Sequence, residues 1–174
     1  MELAGQIIGV IAVLFSIASY QMSSQKRLLI VLTCAAGLFC VHYFLIKAYS
    51  GLALNAVAIV RNLIYANRDK RFWGSKAWGW IFAAVMLVMG LLTWEGWHTL
   101  LITAGLVINT LCLSLPSPQK IRYSLLVTCP MVLIYDIVKL SGGGILNESL
   151  ALASAIVGII RFRNAEKARS KEIE

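Results

Sequence analysis

The chain has 174 residues, of which 59% are hydrophobic and only 14% are charged, and its mean hydropathy is +0.78. A soluble domain of this length has too little interior to bury so much apolar surface. The net charge is +8, but the basic residues lie at the ends of apolar segments. This placement argues against nucleic-acid binding and for a membrane topology signal.

Apolar segments of about 17–20 residues follow one another along the chain, and each is long enough to cross a bilayer core as a helix. Short connections containing Ser, Gly or Pro separate several of them, at Ser23-Ser24, Ser50-Gly51, Pro116–Pro118 and Ser141–Gly144. The sequence therefore predicts an all-α membrane protein with seven transmembrane helices, at 4–22, 28–47, 50–67, 77–94, 97–115, 121–140 and 144–163. Glu2 precedes the first segment and basic residues follow it, the reverse of a signal peptide, so we expect this segment to be a span.

The basic residues also predict the orientation. With seven spans, thirteen Lys and Arg residues fall on one face of the membrane, and only Lys47 and Lys139 fall on the other. The positive-inside rule then places the N-terminus outside and the C-terminus in the cytoplasm.

A stretch in the first half recurs in the second half. Tyr43–Asn62 aligns without gaps on Tyr135–Ser154, 92 positions later. Fixed-offset similarity predicts two copies of one unit. We expect a first triple-helix unit at 1–70, a linker helix at 71–95, a second unit at 96–165 and a cytoplasmic tail at 166–174. The units start four spans apart, so both insert in the same orientation, related by an axis along the membrane normal.

Polar residues inside the spans are the candidate site. Asn55 and Asn62 are seven residues apart on one helix face, and the repeat aligns them with Asn147 and Ser154. Two such stripes facing a common axis would line a cavity between the units. Alternatively, these side chains only hold helices together by hydrogen bonds. Recurrence at matching positions favours the cavity.

Five further residues lie in the same spans. Tyr43 and Tyr135 align and could stack on a ligand or gate the pathway, or belong to the interfacial aromatic belt. His42, Arg61 and Asp136 align with residues that are not ionisable, so they break the symmetry of the repeat. His42 and Asp136 could relay a proton. The structural alternatives are that Asp136 pairs with Lys139 and that His42 reaches the interface. We expect Arg61 to snorkel toward the cytoplasm.

No hydrolase, kinase or redox motif is present, so we expect no enzyme activity. The four cysteines lie inside apolar segments without metal-ligand spacing, which predicts packing residues and neither a metal nor a cofactor. The expected partners are the lipid bilayer and a small polar solute, with no nucleic acid; a homo-oligomer is compatible with the sequence.

Several short motifs resemble those of the SWEET and PQ-loop transporters, namely Ser19–Gln21, His42–Gly51 and Leu52–Asn55. Within that group, SYQMSSQKRLL and NAVAIVRN look most like bacterial inner-membrane proteins of the YgjV type. The resemblance implies a bacterial inner-membrane location and a facilitator in which Asn55 and Asn147 contact the solute. The chain departs from it at Tyr20-Gln21, where Pro-Gln is expected, and in having no proline in its first two spans.

The leading hypothesis is therefore a SWEET-like facilitator of a small polar solute, in which the two units rock about the turns at Gly51 and Gly142–Gly144. The alternative is a membrane protein of the same fold that binds lipid or a partner protein and transports nothing. The candidate substrate-binding residues are His42, Tyr43, Asn55, Arg61, Asn62, Tyr135, Asp136, Asn147 and Ser154.

Overall fold

A computed structural model describes residues 2–20, 25–69, 72–75, 77–114 and 118–173, and these residues form seven α-helices and no strands. The helices are α1 (Glu2–Tyr20), α2 (Gln25–Leu45), α3 (Tyr49–Ala66), α4 (Ala77–Leu92), α5 (Trp97–Leu113), α6 (Pro118–Val138) and α7 (Gly142–Ile173). Each predicted span coincides with one helix. The predicted connection at Ser23-Ser24 and the Pro116-Ser117 part of another lie outside the described residues.

By length and hydropathy alone, two stretches are long and apolar enough to cross a membrane, Lys26–Leu45 in α2 and Gly142–Ile160 in α7. Four other helices contain shorter apolar stretches. Large apolar side chains are exposed on the outer surface, including Trp80 at 71% and Leu92 at 74% of their full area. Exposed apolar surface on this scale is typical of helices that face lipid.

The helices pack in two similar sets of three. In the first set α2 lies between α1 and α3, and in the second set α6 lies between α5 and α7. The sets meet where α1 packs on α7 and α3 packs on α5. If α1, α2 and α3 exchange places with α5, α6 and α7, the α1–α7 contact becomes the α5–α3 contact. This is the pattern expected of two-fold symmetry. Helix α4 packs on both α3 and α5, so it lies at one of the two seams between the sets.

The α2–α3 and α6–α7 turns have the same hydrogen-bonding pattern. The amide of Ala48 donates to the Tyr43 carbonyl, and the amide of Ser141 donates to the Asp136 carbonyl, both at 2.8 Å. Lys47 and Leu140 have φ values of 57° and 52°. A left-handed residue closed by a six-to-one hydrogen bond is the Schellman motif that ends a helix.

These equivalent positions are 93 residues apart, so the alignment at 92 is wrong by one residue at the turns. Tyr43 corresponds to Asp136, and Gly51 corresponds to Gly144. The expectation that Ser50-Gly51 and Gly142–Gly144 are flexible turns is also wrong, because these residues lie in the first turns of α3 and α7. The sequence alignment missed the shift because a short similar stretch can be matched in a neighbouring register.

Backbones approach closely where α1 meets α7. A methyl group on Gly143 would lie 2.5 Å from the Cα atom of Gly9, far inside van der Waals contact. Beside this contact, the Gln6 side-chain amide donates to the Leu140 carbonyl at 2.7 Å and accepts from the Gly142 amide at 2.9 Å. Glycine lets the two helices touch here, and Gln6 satisfies polar groups of the adjoining turn.

Candidate functional site

The two units meet at a buried carboxyl group. Asp136, near the end of α6, is fully buried, and its Oδ1 accepts a hydrogen bond from the Tyr43 hydroxyl at 2.7 Å. Its Oδ2 has no hydrogen-bond partner among the described residues. The bond joins α2 to α6, at equivalent positions of the two units.

His42 extends this group. It is fully buried, its Nδ1 lies 2.8 Å from the Gly5 carbonyl oxygen and its Nε2 lies 2.7 Å from the Ser141 hydroxyl. Because a carbonyl only accepts, the neutral ring carries its proton on Nδ1 and accepts from Ser141 through Nε2. We call Asp136, Tyr43, His42 and Ser141 the Asp136 cluster.

Two glycines make room for the cluster. A methyl group on Gly51 would lie 2.9 Å from the Tyr43 ring, and one on Gly144 would overlap the Asp136 carboxyl group. Each unit therefore packs a small residue in its last helix against the side chain that crosses to the other unit. Tyr43 and Asp136, which are 93 positions apart, therefore occupy equivalent places in the two units although their side chains differ.

A second acidic group lies beside the first, in the short loop between α4 and α5. The carboxyl group of Glu95 accepts from the backbone amides of Tyr49 and Ser50, at 3.1 and 2.9 Å. It also accepts from the Tyr135 hydroxyl at 3.1 Å and pairs with the Lys139 amine at 2.8 Å. We call these five residues the Glu95 cluster.

Glu95 caps helix α3. The residue before α3 is Ala48, whose side chain cannot accept a hydrogen bond from the first turn. The equivalent residue before α7 is Ser141, whose hydroxyl accepts from the Gly144 amide at 3.1 Å. Gly96, the next residue of this loop, has a φ of 132°, which favours glycine. A carboxylate at a helix N-terminus is also favoured by the helix dipole.

The surroundings of Glu95 favour its charged form. Burial alone would raise the pKa of the carboxyl group, but the hydrogen bonds from Lys139 and Ser50 outweigh it and lower the pKa from 4.5 to about 2. Glu95 is therefore a carboxylate at neutral pH, and it holds together α3, α6 and the α4–α5 loop.

Two sequence-based interpretations are wrong at this site. Lys139 pairs with Glu95 and not with Asp136. His42 does not reach the interface, because it is fully enclosed. The ring centres of Tyr43 and Tyr135 lie 6.4 Å apart in an edge-on arrangement, and each hydroxyl donates to a carboxyl group. Their roles in stacking on a ligand or gating a pathway stay predictions.

Arg61 forms a separate cluster where α3, α4 and α5 meet. Its side chain is only 6% exposed, so the expected snorkelling is wrong. Nη1 donates to the Thr110 hydroxyl at 2.7 Å, and Nε and Nη2 donate to Oδ1 of Asn62 at 3.2 and 3.0 Å. The Thr110 hydroxyl in turn lies 3.0 Å from the Met86 sulfur. We call Arg61, Asn62, Thr110 and Met86 the Arg61 cluster.

The predicted polar stripes are only partly interior. Asn62 is buried, Asn55 and Asn147 are half-buried, and Ser154 is exposed. Asn55 donates to the Gly51 carbonyl of its own helix at 2.9 Å, and Asn147 donates to the neighbouring Glu148 at 3.0 Å. The cavity-lining role of these residues stays a prediction.

Sequence reasoning missed Glu95 and Ser141 as members of the clusters. Glu95 lies between the predicted spans 77–94 and 97–115, outside the polar stripes. Its signal was its position between Trp94 and Gly96, in a loop too short to hold it far from the bundle.

An apolar cavity of about 230 Å³ lies between α4 and α5, lined by residues from Leu87 to Trp94 and from Thr99 to Ile108. It does not include any of the predicted site residues. All four cysteines are free. Among the described residues, no group of His, Cys, Asp and Glu has the arrangement of a metal site.

Comparison with known protein families identifies the family of this chain. A family model described as a bacterial inner membrane protein, Imp-YgjV, matches residues 3–166. The chain belongs to this family. No curated protein and no solved structure matches the chain. Membership makes the protein a bacterial inner-membrane protein, consistent with the apolar helix surfaces described above.

Proposed function

We propose that this YgjV-family protein is a facilitator that moves a small polar solute across the bacterial inner membrane, with its two triple-helix units rocking against each other in a SWEET-like way. All seven helices would span the bilayer, with the N-terminus in the periplasm and the C-terminus in the cytoplasm. The Asp136 and Glu95 clusters would then lie near the periplasmic side.

One observation carries the proposal: polar side chains join the two units at one end of the bundle. Tyr43 of the first unit donates to Asp136 of the second, and Tyr135 of the second donates to Glu95, which caps helix α3 of the first unit. Hydrogen bonds inside a membrane protein average well under 2 kcal/mol each, so a few of them can open and close. We infer that they form a gate that is closed in this structure.

The gate requires a motion that differs from the rocking about glycine turns expected from the sequence. Gly51 and Gly144 are packed against Tyr43 and Asp136, so hinge motion at these glycines would first require the gate to open. Rocking would instead separate α2 and α3 from α6, while the close Gly9–Gly143 contact of α1 with α7 stays in place as the pivot.

Uptake by the purified protein in proteoliposomes tests the proposal. A panel of metabolites covering sugars, amino acids and organic acids is offered to the wild type, and Tyr43→Phe, Asn55→Ala and Asn147→Ala are assayed in parallel. Tyr43→Phe removes the gate hydrogen bond but keeps the ring, so we expect faster exchange. Uptake that Asn55→Ala and Asn147→Ala leave unchanged would refute their role as solute ligands.

A second function is favoured by the hydrogen bonds of the asparagines. Because Asn55 and Asn147 use their amide groups within their own segments, they are compatible with a bundle that binds lipid or a partner protein and transports nothing. Failure of every solute on the panel to cross, with protein that is folded in the same vesicles, would support this second function.

A further inference from the structure

The Arg61 cluster contains an unbalanced positive charge. Arg61 is the only buried Lys or Arg in the part of the chain whose side chains are described, and the only ion pair there joins Lys139 to Glu95. The guanidinium partners are an amide oxygen and a hydroxyl, both neutral. A guanidinium keeps its proton in proteins, and a buried charge is ordinarily paired.

The geometry of the neutral partners shows where an anion would fit. Nε and Nη2 form the edge of the guanidinium that binds a carboxylate or phosphate with two parallel hydrogen bonds. In this structure both donors share the single Oδ1 atom of Asn62, at 3.2 and 3.0 Å. One neutral oxygen therefore occupies a position suited to two charged ones.

A buried hydroxyl without a described partner lies one turn away on the same helix. Tyr65 is one turn beyond Arg61 on α3 and interacts with it electrostatically. Its hydroxyl is buried, and it has no hydrogen-bond partner among the described residues. An oxyanion between Arg61 and Tyr65 would accept hydrogen bonds from both side chains. It would balance the buried charge of Arg61 and give the buried Tyr65 hydroxyl a partner.

We propose that Arg61, Tyr65 and Thr110 bind the oxyanion of a carboxylate- or phosphate-bearing ligand at the junction of α3, α4 and α5. The inference deepens the proposed transport function, since it makes the solute an anion. The repeat supports a specific role, because the position equivalent to Arg61 in the second unit is Ser154 at 93 residues, so the charge occurs once. The linker helix α4 contributes Met86 to the cluster, so it also shapes the site.

Binding is measured on the full-length protein in phosphatidylcholine nanodiscs. Inorganic phosphate and succinate are titrated against chloride at constant ionic strength, and the melting temperature and the heat of binding are recorded. A ligand that binds only the folded protein raises its melting temperature with concentration. We expect both probes to do so in the wild type and not in Arg61→Met.

Three variants sharpen the test. Arg61→Lys keeps the charge but loses the two-donor edge, so we expect affinity to fall about tenfold or more. Tyr65→Phe removes only the hydroxyl and should weaken binding several-fold with the fold intact. Lys47→Met removes an exposed basic residue just after α2, at the other end of the bundle, and should bind like the wild type. If Arg61→Met does not fold, Arg61→Lys and Tyr65→Phe still decide the result.

The source of the anion is settled by lipid composition. In nanodiscs that contain phosphatidylglycerol, an Arg61-dependent rise in melting temperature with no further effect of phosphate or succinate would identify a lipid headgroup as the ligand. A soluble anion would instead bind equally in both lipids. Absence of any Arg61-dependent effect in either lipid, or equal binding by wild type and Arg61→Met, would overturn the proposal.

The outcomes also separate this proposal from transport. Anion binding without uptake of any solute would refute the facilitator and leave the site intact. Uptake of a solute, together with equal anion binding by the wild type and Arg61→Met, would refute the anion site and leave the facilitator intact.

Discussion

Replacing Glu95 by Gln tests the link between the α4–α5 loop and the two units. The Oε1 atom accepts from the Tyr49 amide and the Lys139 amine, and Oε2 accepts from the Ser50 amide and the Tyr135 hydroxyl. In Gln, one of the two positions becomes an amide nitrogen, which cannot accept. Either orientation of the side chain therefore loses two of the four hydrogen bonds.

The magnitude follows from the charge of the acceptor. A hydrogen bond to a charged group contributes about 1.5–3 kcal/mol, so losing two of them sets an upper range of about 3–6 kcal/mol. The side chains of Lys139 and Glu95 are 20% and 13% exposed, and solvent screening reduces the value. We expect Glu95→Gln to lower the free energy of unfolding by about 2–4 kcal/mol, or the melting temperature by roughly 4–16 °C.

The assay is thermal unfolding of the purified protein in one detergent, followed by circular dichroism. Asp69→Asn is the matched control, because it removes a carboxylate charge at an exposed position, and we expect a change within about 0.5 kcal/mol. The mutant Lys139→Met and the double mutant complete a cycle for the ion pair. Equal stability of wild type and Glu95→Gln would refute the capping role.

Three further predictions concern the same end of the bundle. Gly143→Ala should destabilise the protein by about 1–3 kcal/mol because its methyl group meets the Gly9 backbone, whereas Gly37→Ala, with nothing within 4 Å, should be neutral or stabilising in the same melting assay. Leu140→Gly should stabilise by about 0.5–1 kcal/mol in equilibrium unfolding, since its φ of 52° is strained for leucine; a loss of stability would contradict the strain. The Glu95 contribution to stability should be complete above its ordinary pKa of 4.5 and disappear as the pH falls to about 2, so the stability difference between wild type and Glu95→Gln, measured from neutral pH downward, should shrink with acid.

The helices were predictable because apolar segments show their lengths, and Ser, Gly or Pro residues mark several of the connections between them. The predicted span 50–67 became Tyr49–Ala66, and the predicted span 77–94 became Ala77–Leu92. Hydrophobicity and helix length are local properties of the chain, so one sequence suffices to read them. Whether all seven helices span the bilayer stays a prediction.

Side-chain partners were less predictable, because they depend on contacts between distant segments. Lys139 is one turn from Asp136 in the chain, but Glu95, 44 positions away, is the residue that it contacts. Arg61 was expected to reach water because it lies about two turns from the predicted cytoplasmic end of its helix. The side chains that hold it inside include Thr110, from a helix of the other unit.

The residues selected from the sequence were nevertheless concentrated at the observed contacts. His42, Tyr43, Tyr135 and Asp136 all lie in hydrogen-bonded groups between the units. They were selected because polar residues in apolar spans need partners. Which of these four residues contact each other depends on the register of the repeat. Only the geometry of the turns fixes that register.

Because of the Tyr43–Asp136 hydrogen bond, each half of the chain requires the other as its partner. Equivalent positions of a symmetric pair meet close to the symmetry axis. Two copies of the second half would bring two Asp carboxyl groups together there, and two copies of the first half would bring together two hydroxyls with no carboxyl group between them. Neither half can take the place of the other, so fragments 1–70 and 71–174 expressed separately should associate with each other rather than with themselves.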